Sequence, residues 1–211
     1  MLLLCVISFL VRLTVCQYVW NENLANLLDM HNKYREDALN CKIPGQPAAK
    51  QMPTLLWDYD LARQAQQLSD TCRFQFGSPK SDKFVKVGQN IAGYPSVKDA
   101  MESWFSEHQY YNFDKHSGVQ NSGNYLQIVS AKTTEIGCGV TKCKGINGFK
   151  YDLFVVCNYG EGADFTKRPY EKDPYKKCQE QLVPSVKPTH GKWHATYGTT
   201  EFNRKHCYCY K

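Results

Sequence analysis

Apolar residues recur at helical spacing through the first half of the chain. "NENLANLLDMHNKYREDAL" sets Leu24, Leu27, Leu28, His31, Tyr34 and Ala38 on one stripe, which predicts a helix ending near Cys41 and "IPGQP". A second helix is predicted from Leu61, Ala65, Leu68 and Cys72, with Asp58 or Asp60 available to cap it. A third begins at Ser96, where "SVKD" has the form of a capping box, and runs through Ala100, Met101 and Trp104. The period then changes. "YLQIVSAKTTEIGCGV" and "FKYDLFVVCNYG" are rich in β-branched and aromatic residues, and "KGING" between them supplies turn chemistry. Helices followed by antiparallel strands predict an α+β fold with helices packed on a sheet. Pro169, Pro174, Pro184 and Pro188 exclude a long helix afterwards, so extended and turn structure stapled by cysteines is expected there.

The ends change the picture. "MLLLCVISFLVRLTVC" is apolar, is broken only by Arg12, and is too short to span a hydrocarbon core of roughly 30 Å. A signal peptide over residues 1–16 is expected, with Gln17 as the first mature residue. Eight of the ten cysteines then remain, and an even number in an extracellular chain predicts disulfides. No later stretch has the length and apolarity of a transmembrane helix, so the expected location is secreted and extracellular. The formal net charge is +6, and residues 161–211 hold 10 Lys+Arg against 6 Asp+Glu. No basic run is dense enough for nucleic acid, so the tail is expected to be a solvated basic segment.

Candidate chemistry is sparse. There is no GxSxG elbow and no glycine-rich phosphate loop. His31 and Arg35 stand one helical turn apart, a pairing that is expected to order a surface or a loop rather than perform chemistry. His190, His194 and His206 could be drawn as a metal site, but "HGKWH" contains glycine and closely follows Pro188, which argues against a helix presenting the first two. No metal and no cofactor is expected.

The ordered set "HNKYR", "GQNIA", "SWFSE", "GNYLQIVSAKTTEIGCGV" and "VVCNYGEGADF" resembles the CAP superfamily (cysteine-rich secretory proteins, antigen 5, pathogenesis-related proteins of type 1). The likeness is greatest to the secreted venom allergen-like proteins of parasitic worms. It implies a three-layer α-β-α sandwich with a cysteine-stapled C-terminal extension, divided as a domain over residues 17–162 and an extension over residues 163–211. Family members often line a central cavity with two histidines and two glutamates, and some bind zinc there. Carried over by position, the first histidine is Phe76, the first glutamate is Gln89, the second glutamate is retained as Glu107, and the second histidine is Asn124, placed at the start of a strand. With three of four positions lacking a ligand, neither metal binding nor catalysis is expected. Glu107 is expected to be a partly buried carboxylate held by amide or backbone donors.

Phe105, Tyr110 and Phe113 have the spacing of the caveolin-binding-type motif that forms a sterol-binding loop in some family members. The resemblance implies a loop holding Tyr110, Tyr111 and Phe113 at the surface. Relatives by fold also hold a fatty acid between two helices, but Leu24, Leu27 and Leu28 are expected simply to pack the core. The resemblance implies the disulfides Cys72–Cys143 and Cys138–Cys157. That leaves Cys41, Cys178, Cys207 and Cys209. Residues two apart in an extended segment are about 6 to 7 Å apart, so Cys207 and Cys209 are expected to reach Cys178 and Cys41 rather than each other. The functional expectation is a secreted, non-catalytic binder of sterol or another lipid that acts on host or extracellular proteins. The alternatives are a protein ligand without a lipid role and a metal-dependent hydrolase.

Overall fold

The computed structural model describes residues 22–178, and the three periodic stretches form helices, the second and third with the expected caps. Helix α1 (Glu22–Leu39) buries Leu24, Leu27, His31, Arg35 and Ala38. Helix α2 (Tyr59–Ser69) starts from Asp58, whose carboxylate accepts from the Leu61 amide at 2.8 Å. Helix α3 (Val97–Ser106) starts from Ser96, whose Oγ accepts from the Asp99 amide and donates to the Asp99 carboxylate. Each cap satisfies an amide that the first helical turn leaves without a partner.

Four strands follow the order β1-β3-β4-β2: β1 (Leu56–Trp57), β2 (Val87–Tyr94), β3 (Glu135–Lys142) and β4 (Leu153–Gly160). Strand β4 is antiparallel to both neighbours, while the short β1 lies parallel to β3. Side chains alternate along β4. Val155, Cys157 and Tyr159 join the large core beneath α1 and α3, whereas Phe154 and Val156 join a smaller cluster beneath α2. The result is the three-layer sandwich. Gly137 and Gly139, two apart on β3, let α2 lie against the strand, because a Cβ at either would collide with the helix backbone at Ala62 or Gln66. Gly139→Val is expected to lose about 1–3 kcal/mol by overpacking, read as a lower urea midpoint; an unchanged midpoint would refute this close approach.

Three elements differ from expectation. The segment predicted to open a strand forms helix α4 (Gly123–Ile128), so Asn124 sits in a helix and the strand begins only at Glu135. All six α4 residues are buried, which erases the periodicity that marks a surface helix. Strands β1 and β2 were not predicted, and β2 includes the "GQNIA" stretch with its polar Gln89 and Asn90.

Disulfides Cys72–Cys143 and Cys138–Cys157 form as expected, the second joining directly opposed residues of β3 and β4. The remaining expectation needs correction. Cys41 pairs with Cys178, so neither bonds to Cys207 or Cys209, which lie outside the described residues. Backbone bonds from Lys50 to Glu171 and from Asp173 to Ala48 lay the extension along residues 48–50, and the chain then reaches Cys41 just past α1. Residues 163–178 are thus packed onto the domain, with Tyr170 in its main core. The expected signal peptide and the three tail histidines also lie outside the described residues.

Candidate functional site

Glu107 follows α3 and opens the 3-10 turn Glu107–Tyr110. Its Oε2 accepts from the amides of Asn124 (2.8 Å) and Tyr125 (3.1 Å), and its Oε1 accepts from Asn124 Nδ2 (2.7 Å). Helix α4 has no side-chain cap of its own at Ser122. Glu107 serves the amides of its first turn from a distance, as the expected carboxylate held by an asparagine and backbone donors. Burial pushes its pKa up to about 7, against the lowering effect of the three hydrogen bonds.

Of the other carried-over positions, only Asn124 meets Glu107. Gln89 donates from Nε2 to Asn158 Oδ1 (2.7 Å) and accepts at Oε1 from the Gly77 amide (2.7 Å). Phe76 packs against the cluster beneath α2. Among the described residues, no group of three His, Cys, Asp or Glu side chains is placed to share a metal ion. This donor set does not fit zinc: it offers a phenyl ring, two amides, and a carboxylate with both oxygens already engaged.

Next to this site, His31 and Arg35 build the interior. His31 Nδ1 lies 2.6 Å from the Leu27 carbonyl and Nε2 lies 2.7 Å from the Tyr159 hydroxyl. A carbonyl only accepts, so Nδ1 carries the proton and Nε2 accepts from Tyr159, whose oxygen in turn accepts from Asn90 Nδ2 at 3.0 Å. Burial lowers the His31 pKa to about 4, so the ring is neutral. Arg35 is 1% exposed. Its guanidinium makes five hydrogen bonds to the carbonyls of Pro53, Ile128, Ser130 and Thr133. It orders the loop between α4 and β3, as the sequence suggested for this pair. The extent of its burial is the part that sequence reasoning missed, and the available signal was a charge seated on the α1 stripe.

The aromatic segment requires a second correction. Tyr110 is 58% exposed, but Tyr111 and Phe113 are only 4% and 5% exposed. Tyr111 packs near Tyr125 and bonds through its hydroxyl to His116 Nδ1 (2.9 Å). Phe113 packs on Tyr170 with ring centroids 4.9 Å apart, and the Arg168 guanidinium lies over the Phe113 ring at 5.8 Å from its centroid. Gln46 holds the backbone down by donating to the carbonyls of His108 and Tyr111. Phe105 stacks on Tyr34 at 3.7 Å. Phe113 nevertheless helps to line a groove of ≈ 730 Å³ that also includes Leu126, Phe165 and Tyr170. Its walls come from segments distant in sequence, so no local pattern announces it.

A disulfide-bonded α-β-α sandwich with these cavity positions defines a recognisable class of protein. Residues 28–159 match CAP, the cysteine-rich secretory protein family, and the chain belongs to that family. It is 39% identical to Schistosoma mansoni venom allergen-like protein 4, with a TM-score of 0.66 over 73% of this chain and 97% of that one. Venom allergen 5 of Dolichovespula arenaria is 32% identical, covering 73% of this chain and 83% of the allergen. GLIPR1-like protein 1 of Mus musculus is also 32% identical, covering 73% of this chain. The match spans 66% of the mouse protein and 60% of its Homo sapiens counterpart, short of two thirds of either. Among the described residues, no helix is long and apolar enough to cross a membrane.

Proposed function

We propose that this is a secreted CAP protein that binds a sterol or related lipid through the segment from Phe105 to Phe113, without catalysis, and acts on host or extracellular proteins. The observation that carries this reading is the groove at Phe113. Its volume of ≈ 730 Å³ falls within the range of about 300–1,000 Å³ usual for ligand sites. Tyr110, three residues earlier and outside the lining of the groove, presents an exposed ring with a polar end. Absence of catalysis is supported by Glu107, whose two oxygens both already accept hydrogen bonds from α4 and which has no second carboxylate or histidine among its hydrogen-bond partners.

The test is binding of radiolabelled cholesterol by the wild type and by Tyr110→Ala/Phe113→Ala, with the fold checked by circular dichroism. Each lost aromatic contact contributes roughly 1.5 kcal/mol or more, so the double variant is expected to bind more than about tenfold more weakly. Tyr110→Ala alone removes only an exposed ring and should weaken binding without altering thermal stability. Unchanged affinity in a folded double variant overturns this site.

A further inference from the structure

The groove beside Phe113 has an uneven charge pattern along its rim. Three carboxylates stand there, and each is already matched: Asp114 with Lys172 at 3.8 Å, Asp164 with Lys167 at 3.4 Å, and Glu171 with Lys50 at 3.2 Å. Two rim cations have no such partner. Among the described residues Lys132 forms no ion pair. Arg168 donates from Nε and Nη2 to the carbonyls of Phe113 (2.8 Å) and Asp114 (2.6 Å), but no carboxylate neutralises it among the described residues. A carbonyl satisfies an N–H without cancelling the charge behind it. These two cations are also neighbours by construction, because the Ala131 amide donates to the Pro169 carbonyl at 2.8 Å and Lys132 and Arg168 adjoin that bonded pair.

Beneath the cations the walls are apolar: Phe113, Leu126, Phe165 and Tyr170. A site for a neutral sterol alone would gain nothing from uncompensated charge at its edge. We propose that the groove takes an amphiphile carrying one anionic headgroup, a phosphate or a carboxylate, with its apolar body against Phe113 and Phe165 and its headgroup between Lys132 and Arg168. This inference rests on the lipid reading above and narrows it from apolar ligands in general to charged ones. Among the described residues Arg168 Nη1 makes no hydrogen bond and leaves one edge of the fork open, and Lys132 offers an exposed ammonium, so together they suit an oxyanion. Arg168 also positions Phe113, which makes Lys132 the cleaner residue to change.

The experiment compares oleoyl lysophosphatidate with monooleoylglycerol, which differ only by the phosphate, on the full chain and on Lys132→Glu. Inorganic phosphate and cholesterol are the two further arms. The wild type should bind the lysophosphatidate about tenfold more tightly than the glyceride. Lys132→Glu should abolish that preference while leaving thermal stability and glyceride binding unchanged. Equal affinity for the two amphiphiles, or a preference that survives Lys132→Glu, overturns the headgroup assignment. If inorganic phosphate binds as tightly as the lysophosphatidate, the site is for a free anion and the apolar half of the proposal falls. If neither amphiphile binds but cholesterol does, the anionic site is wrong and the sterol reading stands; if cholesterol also fails to bind, both fall.

Discussion

Arg35→Ala is expected to lose about 3–5 kcal/mol of stability, because it strips the donors from four buried carbonyls at once. The guanidinium serves four carbonyls from two separate stretches of chain: Pro53, and the segment holding Ile128, Ser130 and Thr133. Each buried acceptor left without a donor costs about 1–3 kcal/mol, and the costs overlap because the loop relaxes. Arg35→Lys should recover only part of the loss, since an ammonium directs three donors from one point and cannot span the fork. Burial already draws the Arg35 pKa down to about 10, so the side chain remains charged at neutral pH despite its enclosure. Guanidinium unfolding with the disulfides intact should show a lower midpoint at unchanged slope. Amide exchange between residues 128 and 134 should accelerate. A loss below about 1 kcal/mol would mean that water serves these carbonyls as well as the arginine does.

The second large effect concerns Glu107 and appears as a difference between two pH profiles. Its folded pKa of about 7 lies above the ordinary carboxyl value of 4.5. The folded state therefore holds the proton more tightly, and the stability this confers is full below pH 4.5 and is lost as pH rises toward 7. His31 has the opposite sign: with its pKa lowered from 6.5 to about 4, it contributes stability above pH 6.5 that is lost as pH falls toward 4. The two slopes oppose each other between pH 4.5 and 6.5, so the wild type should look nearly flat there. Glu107→Gln mimics the protonated acid and removes one of the slopes, provided that the Asn124 amide turns over to present its oxygen. Relative to wild type, the variant should gain nothing at pH 4.5 and about 2–3 kcal/mol at pH 8, with a steeper loss of its own stability in acid. Urea midpoints measured across this range provide the check. A variant that tracks the wild type in parallel would place the Glu107 pKa near its ordinary value.

The helices were legible because their signals are local. Asp58 and Ser96 lie one residue before the first turn that they cap, and the α1 and α2 stripes repeat within a few turns. Opposed Cys138 and Cys157 fell on two recognisable strands, in agreement with the family resemblance. Helix α4 was not legible. Its N-terminus is held by Glu107, which lies 17 residues away in sequence, and its side chains are buried on every side. The burial of Phe113 depends on Tyr170 and Arg168, which come from the extension. A spacing of aromatics records which rings are present, but not which face of the segment a distant strand of chain will cover. Pairing of Cys41 with Cys178 has the same origin, in backbone contacts 121 residues apart between Lys50 and Glu171. The groove lies beyond local inspection for a related reason: Phe113, Leu126 and Phe165 become neighbours only after the sheet has assembled.

The Cys41–Cys178 bond encloses 137 residue steps of chain, and the other two disulfides lie wholly inside that span. Covalently, the described domain beyond α1 is a closed ring with two internal cross-ties. Cutting one peptide bond anywhere between those cysteines opens the ring without releasing a fragment. The exposed stretch from Arg73 to Gln75, next to Cys72, is a natural place for a protease to cut. A molecule nicked there would keep its mass on a non-reducing gel and separate into two bands only after reduction. For a protein exposed to proteases outside the cell, this connectivity turns many otherwise destructive cleavages into silent ones.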